Sequence, residues 1–460
     1  MAADSAQIHA DAVAISATAQ SGFTAIEKPS YGDYSRCVHC GLCLNHCPTY
    51  RLWGKEADSP RGRIRQMALV DEGKLEIGEG FITHMDRCLD CRACETVCPS
   101  GVEYGKLIEL ARGQIEQKHS RALRSRILRS LVYRSLLPYP NRIALLARLT
   151  RFFQTSGLQS MTRKFGIARA FGMEDRLALL PRIDSKFFDS QLGQTFPAYG
   201  KKRARVAFFA GCIARVTFTA LNDATIRVLQ ANGCEVVVPK DQACCGALAA
   251  HAGMRDVARD LAKRNFRAFG ANSEFDGYNF DVNTVDAIIT NAAGCGSTLK
   301  EYPQLFPSAG DDLSQADLFS QKVRDITEFL DDLGITAPMK PPRPAPLRVT
   351  LQDSCHLIHG QKIREAPRRL VRAVPGVELV EMPLADHCCG SAGVYNVTQT
   401  SASMSLLEEK MHLARGTQAE AIVTANPGCI LQLRAGAKKF STGQEVLHVV
   451  ELLDRALASN

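Results

Sequence analysis

The chain has 460 residues, enough for two to four domains, and its 45% hydrophobic and 23% charged content is that of an ordinary globular protein. No run of about 18 apolar residues is present to cross a membrane, and no basic, apolar or twin-arginine signal opens the sequence. The net charge is +8, and the 17 cysteines are unusual. Without an export signal the expected compartment is a reducing cytoplasm, which argues against disulfides. Residues 1–30 read as a Ser/Ala-rich leader, flexible or weakly helical.

Residues 31–110 carry the densest pattern. CVHCGLCLNHCP at 37–48 and CLDCRACETVCP at 88–99 both follow C-x2-C-x2-C-x3-C-P, the run of two-cluster bacterial ferredoxins. Three thiolates two residues apart wrap one face of a [4Fe–4S] cube, and the fourth starts a departing helix and points to the other cube. The spacing therefore assigns Cys37, Cys40, Cys43 and Cys98 to one cluster and Cys88, Cys91, Cys94 and Cys47 to the other. Pro48 and Pro99 remove a backbone donor and turn the chain away. Zinc sites rarely use this eight-cysteine repeat with terminal prolines. Between the runs, PRGRIRQMALV at 60–70 predicts a short helix opened by Pro60. Arg61, Arg63 and Arg65 either offset the negative charge of thiolate-bound clusters or are solvated. A further helix is expected from near Val102, making the module mainly helical with its cysteines in loops.

Residues 111–200 form a basic helical arm and a less regular link. Between Arg112 and Arg169 thirteen Lys or Arg stand against one acid, Glu116, with apolar residues interleaved, and prolines at 138 and 140 break the helix. Three readings stay open: a solvated face packed on its own domain, a dock for an acidic partner subunit, or a peripheral contact with an anionic membrane surface. No nucleic-acid motif accompanies the charge, so nucleic acid is not expected as a partner.

The remainder is a repeat. RVAFFAGC at 205–212 matches RVTLQDSC at 348–355; DQACCG at 241–246 matches ADHCCG at 385–390; AIITNAAGC at 287–295 matches AIVTANPGC at 421–429. The matched cysteines are offset by 143, 144, 144 and 134 residues. Two copies of one domain are implied, 205–335 and 348–457, joined by a proline-rich, semi-rigid linker at 337–346. Apolar strands alternate with helices, which predicts an α/β unit with a largely parallel sheet and sites at the carboxyl ends of its strands. Cys212, Cys244, Cys245 and Cys295 can then converge, as can Cys355, Cys388, Cys389 and Cys429, each set sufficient for one further metal or cluster site. Buried structural cysteine is the alternative. Cys234, opposite Val377 in the second copy, reads as a core residue. The overall class is α+β multidomain: a mainly helical two-[4Fe–4S] ferredoxin-like module, then two repeated α/β domains.

With HCCGSAGVY at 387–395, IVTANPGC at 422–429, GCGSTLKEY at 294–302 and DRCLDCRACETVCPSGV at 86–102, nearly the whole chain resembles the iron–sulfur subunit of glycolate oxidase, built from a cluster pair and two CCG domains. The same architecture serves iron–sulfur subunits of D-lactate and glycerol-3-phosphate dehydrogenase complexes, and is similar to the CCG subunit of heterodisulfide reductase. The resemblance implies an electron-transfer subunit. A separate FAD-containing subunit oxidises a 2-hydroxy acid such as glycolate, and electrons pass on to a quinone-type acceptor. No G-x-G-x-x-G after a strand and no G-x-x-x-x-G-K-[ST] suggests a flavin or nucleotide site here, so no residue is assigned as catalytic and the chain is not expected to turn over glycolate alone. One departure stands out: the reductase version ends its motif in C-x-x-C, whereas GCGST at 294–298 and GCILQ at 428–432 lack the second cysteine. That leaves an ordinary cluster, an under-ligated one or a bare thiol site in each copy. His356 and His387, beside Cys355 and Cys388, are candidates to tune or ligate, against a local hydrogen bond.

Overall fold

The computed structural model describes residues 20–270, 273–275, 278–306 and 310–458, so most of the expected leader lies outside it. The chain divides into two compact units, Met1–Arg126 with Ala250–Met254, and Ile127–Ala249 with Arg255–Asn460.

The first unit is helical. Ser59 accepts from the Gly62 N–H and Pro60 takes the first turn, so the expected helix forms as Pro60–Asp71. Glu79–Asp86 and Tyr104–Lys118 pack with it around Met67, Val70, Met85, Leu107 and Ile108, all fully buried. The segment before residue 31 is tied to this core: Gly22 N–H donates to Val70 O at 2.8 Å, Phe23 meets Phe81 edge-on, and Thr24 N–H donates to Gln114 Oε1 at 2.7 Å.

In the second unit the basic arm is a string of short helices, not one. After Leu123–Arg129, where the two units meet in sequence, come a π-helical turn Ser130–Leu136 and the helices Pro140–Thr155, Leu158–Lys164, Ile167–Ala170 and Glu174–Ala178. The strands follow: β1 Gln194–Phe196, β2 Ala204–Phe209, β3 Cys234–Val238, a hairpin β4 Ser273–Phe275 and β5 Tyr278–Phe280, β6 Ala287–Thr290, β7 Val323–Asp325, β8 Leu347–Leu351, β9 Val377–Val380, β10 Ala421–Thr424 and β11 Glu445–His448. One sheet runs β1-β3-β2-β6-β7 and the other β11-β10-β8-β9. The parallel core β3-β2-β6-β7 and the parallel β9-β8-β10-β11 thus have one topology. β1 is an antiparallel edge inside the stretch expected to be irregular; three residues, Gln-Thr-Phe, are too few to show alternation. The central strands bury nearly every side chain, as two-face-covered parallel sheets require. Register places Ala204 opposite Cys234 and Leu347 opposite Val377, so Cys234 opens β3 as Val377 opens β9, and Cys234 lies fully in the core.

The two repeats share one hydrophobic core, with Phe208 and Ile289 from one and Val349, Val423 and Leu447 from the other. Arg227 forks onto Asp454 at 2.9 and 2.7 Å, and Arg369 onto Asp331, each pairing one repeat with the other. The proline linker does not span free space. Met339 bridges antiparallel to Leu457, Lys340 N–H donates to Ala456 O at 2.8 Å, and Ala458 N–H to Pro338 O at 3.0 Å. The terminal helices of the repeats also begin alike, Ile326–Leu333 on an Asp325–Glu328 capping box and Val449–Ala456 on a His448–Glu451 box.

Candidate metal centres

In the first unit, His39 and Gly41 in one loop and Asp90 and Arg92 in the other have positive φ, so the two C-x2-C-x2-C runs turn alike. Burial pushes the Cys37 thiol up, and Cys98 and Cys40 add to the shift; burial pushes Cys43 up to about 11, with Cys37 and Cys47 adding. Burial likewise pushes Cys94 well up, and the neighbours it feels include Cys91, Cys47 and Cys88. Cys98 is thus felt in the 37–43 loop, and Cys47 is felt by Cys43 as well as by Cys94. Donors already face Cys88: Asp90 N–H to its Sγ at 3.3 Å and Tyr104 Oη–H at 3.7 Å; the Thr49 hydroxyl, which donates to Asp58 O at 2.7 Å, lies 3.2 Å from Cys47 Sγ.

Of Arg61, Arg63 and Arg65, only Arg63 turns inward. It is fully buried, donates to His84 O at 2.7 Å and Thr49 Oγ1 at 3.1 Å, and lies 3.5 Å from Asp58. Burial opposes its charge, but Tyr104, Cys88, Cys47 and Asp58 outweigh that and keep it protonated. Arg61 borders the first loop, donating to His39 O at 3.0 Å and pairing with Glu56 at 2.7 Å. Arg65 is solvated beside Glu72.

In the second unit the cysteines stand where β-strands end. Cys212 follows β2, Cys244 and Cys245 follow β3, and Cys295 sits in the first turn of Ala293–Lys300 after β6; Cys355, Cys388, Cys389 and Cys429 repeat this after β8, β9 and β10. Cys212 Sγ lies 3.1 Å from Cys244 Sγ, and side-chain contacts continue from Cys244 to Cys245 and from Cys245 to Cys295. The same chain runs from Cys355 through Cys388 and Cys389 to Cys429. In the first copy Cys244 is held well below the ordinary thiol range because Cys212, then Cys245, donate to it. In the second copy Cys388, Cys389 and Cys429 are all pushed up, each first by a hydrogen bond with a neighbouring cysteine. The glycine after each pair has a physical reason. Gly246 and Gly390 have φ of 84° and 88°, and a Cβ on Gly390 would meet Ser403 O at 2.4 Å.

Buried polar groups fasten these loops. Gln242 accepts from Ala210 N–H at 2.8 Å and donates to Pro239 O at 2.9 Å, while Asn265 accepts from Ala243 N–H at 2.8 Å and donates to Cys244 O at 3.1 Å. Tyr302 donates to Cys245 O at 3.0 Å. In the second copy buried Lys410 donates to Leu384 O at 2.7 Å and Ala385 O at 3.2 Å, and burial lowers its pKa. The two cysteine sets adjoin through Asn426, which donates to Cys429 Sγ at 3.4 Å and accepts from Gly294 N–H, next to Cys295, at 3.4 Å. His356 Nδ1 lies 3.5 Å from Cys355 Sγ, whereas the His387 backbone N–H is spent on Leu384 O.

All four sets contain thiols only, soft donors that suit iron–sulfur clusters or zinc. Among the described residues no three cysteine sulfurs lie mutually within 4.8 Å, as four thiolates around one zinc at about 2.3 Å would. The group that does meet that spacing is Asp90, Glu109 and His251, buried beside the 88–94 loop. Sequence reading missed it, since His251 is remote in the chain from both carboxylates. His251 Nδ1 is 2.8 Å from Glu109 and 3.0 Å from Asp90, with Arg92 3.9 and 4.0 Å from the same two carboxylates. The one ring N–H faces both carboxylates, and Asp90 and Glu109 together hold the imidazole protonated. The surrounding cations make this a self-neutralising ion cluster and disfavour a metal.

Family models match along the chain: a 4Fe-4S dicluster domain at 33–102, a linker region of glycolate oxidase iron–sulfur subunits at 124–182, and a cysteine-rich domain at 206–300 and 349–434. The chain is 40% identical over 432 residues to a "Probable glycolate oxidase iron-sulfur subunit" of Bacillus subtilis (strain 168), covering 93% of this chain and 95% of that one. It is 34% identical over 426 residues to the glycolate oxidase iron–sulfur subunit of Escherichia coli (strain K12), covering 92% and 93%. It is also 35% identical over 445 residues to a subunit of the CoM/CoB fumarate reductase of Methanothermobacter marburgensis, covering 95% of this chain and 76% of that one.

Proposed function

Starting from a chain that belongs to the family of glycolate oxidase iron–sulfur subunits, we propose that it relays electrons from a separate FAD subunit, which oxidises glycolate to glyoxylate, towards a quinone-type acceptor. The observation that carries this reading is the gathering of the eight cysteines of the repeats into two all-thiol sets, with Asn426 bonded to both repeats. Cys37, Cys40, Cys43 and Cys98 would hold one [4Fe–4S] cluster and Cys88, Cys91, Cys94 and Cys47 the other. Cys212, Cys244, Cys245 and Cys295, and Cys355, Cys388, Cys389 and Cys429, would hold further clusters. When bound, such clusters supply one-electron storage and transfer.

The chain's own residues do the rest. Asp90 N–H and Tyr104 donate toward Cys88, and Arg63 places a buried cation near Cys88 and Cys47; such donors and charge stabilise the reduced, more negative state. Gly390 N–H and Asn426 do the same for Cys388 and Cys429, each at 3.4 Å. Burial of the 88–94 loop excludes water from its sulfurs.

The test is iron and acid-labile sulfide per chain on anaerobically purified protein, with EPR after dithionite, in wild type and in Cys244→Ser/Cys388→Ser. At four irons per cluster the reading expects about twelve to sixteen, falling on mutation; about eight, unchanged, would confine redox chemistry to the first unit. Glycolate should reduce the chain only when the flavoprotein subunit is added, and glycolate oxidation by the chain alone would sink the proposal. A second reading, a CCG-type disulfide reductase subunit, draws on the 3.1 Å approach of Cys212 to Cys244 and the likeness to the CoM/CoB fumarate reductase subunit. It expects thiol-dependent activity without any flavoprotein, abolished by Cys388→Ser.

A further inference from the structure

The basic arm of the second unit shows a surface that a soluble protein rarely keeps. Of 24 large apolar side chains exposed among the described residues, 14 fall between Ile127 and Met173. Phe152, Phe165 and Phe171 are 63%, 67% and 75% exposed. Scattered exposed leucines need no explanation, but a concentration of this kind marks a binding surface.

The helix Pro140–Thr155 shows how the surface is built. Ile143, Ala144 and Ala147 face inward and pack with Ile183 and Val216. Leu145, Leu149 and Phe152, at i, i+4 and i+7, form a second apolar stripe that faces solvent. At about 100° per residue, Arg142 and Arg148 fall on the two flanks of that outer stripe. Both are oriented by neighbours, and among the described residues neither pairs with an acid: Arg142 donates to Ser135 O at 2.6 Å and stacks 4.2 Å over Tyr139, and Arg148 lies 5.9 Å from the Phe187 ring. From 127 to 173 the sequence holds eight Lys or Arg and no Asp or Glu. Of these, Arg134 pairs with Asp256 and Arg169 with Glu174.

We propose that the arm seats the protein on an anionic phospholipid surface, with Leu145, Leu149 and Phe152 entering the headgroup–acyl boundary and Arg142 and Arg148 meeting lipid phosphates. Exposed Leu and Phe stripes flanked by Arg, on short helices without a single acid, match what an anionic interface takes up. An acidic protein partner would answer the charge but would leave so many protruding apolar side chains without a matching pocket. No described helix is long and apolar enough to cross a membrane, so the contact is peripheral. The inference goes beyond the electron-relay reading and does not depend on it: EPR and iron content judge the relay, lipid binding judges the arm.

The experiment is flotation of the full-length, cluster-loaded chain with vesicles of phosphatidylcholine alone or with about one-third phosphatidylglycerol. The protein should float with the anionic vesicles, be lost from them at about 0.5 M salt, and stay largely behind with phosphatidylcholine. Leu149→Asp/Phe152→Asp should lower anionic-vesicle partitioning about tenfold or more, and Arg142→Glu/Arg148→Glu should lower it by a similar factor, both at unchanged iron content. If the apolar variant loses iron, the charge variant alone decides. Equal flotation with both vesicle types overturns the proposal, as does unchanged partitioning of the deciding variant. Loss of flavoprotein capture by these variants while lipid binding persists would also overturn it, in favour of a protein dock.

Discussion

The 37–43 and 88–94 loops have the same cysteine spacing, and their backbones turn alike: φ is 55° and 87° at His39 and Gly41, and 53° and 61° at Asp90 and Arg92. Their surroundings are opposite. In the first loop Val38 and Leu42 are 68% and 58% exposed and Cys40 is exposed. In the second, Leu89, Asp90, Cys91, Arg92, Ala93 and Cys94 are all buried. The buried loop is braced by Arg112, which donates to Met85 O at 2.8 Å, Cys88 O at 2.5 Å and His251 O at 2.8 Å, and by the Asp90–Glu109–His251 cluster. The exposed loop has Arg61 on its rim and little else. Spacing decides how many sulfurs meet; neighbours decide how tightly they are held and what can reach them.

The comparison is broken most severely by Arg112→Ala, which leaves three carbonyls unanswered beside two buried carboxylates. Expected is a loss of about 3–5 kcal/mol by urea unfolding, with depleted iron at the second loop. Arg61→Ala on the first loop should stay within about 1 kcal/mol at full iron content. An equal loss in the two would mean that burial does not distinguish the loops.

His251 adds a pH signature to the buried loop alone. Burial lowers its pKa, but hydrogen bonds to Asp90 and Glu109 outweigh that and raise it to about 9 from an ordinary 6.5. A raised folded-state pKa stabilises fully below the unfolded value and is lost as pH rises through the folded one. Between pH 6.5 and 9 the wild type should lose about 3 kcal/mol that His251→Gln does not. A parallel pH profile for the two proteins would remove the imidazolium from the account.

Gly41→Ala sharpens the backbone side of the comparison. With φ at 87° and the new Cβ 2.7 Å from Arg61 Nη1, it should cost about 1 kcal/mol and speed iron loss to a chelator. Slower iron loss would contradict the strain argument. The smallest effect is expected for Val38→Ser/Leu42→Ser: thermal stability and iron content within error, near ±0.5 kcal/mol, roughly as for any exposed pair. A drop beyond about 1 kcal/mol would show that something covers this loop.

Much of the architecture was legible. The Pro60 helix, the buried strands of both repeats and the place of their cysteines after those strands read directly from the opening proline, apolar runs and matched segments. Less legible was anything that depended on a distant neighbour. Arg61, Arg63 and Arg65 look alike in sequence, yet Arg63 alone is buried. The Gln194–Phe196 edge strand exists because Cys234–Val238 offers it an open edge. Asn426 differs from its counterpart Ala292 by a side chain whose bonds to Cys429 and Gly294 emerge only when the repeats meet.

By itself the sequence determined the plan: sixteen cysteines in matched runs, a helical module, a duplicated α/β domain and a cationic, apolar arm. These follow from local rules, because spacing within a few residues controls which side chains share a turn or a strand end. The tertiary structure alone decided which cysteine loop is buried and which exposed, how His251 reaches Asp90 and Glu109, and that the arm's second apolar stripe is left facing solvent. Those outcomes depend on burial and on contacts between residues far apart in the chain, and no local pattern encodes them.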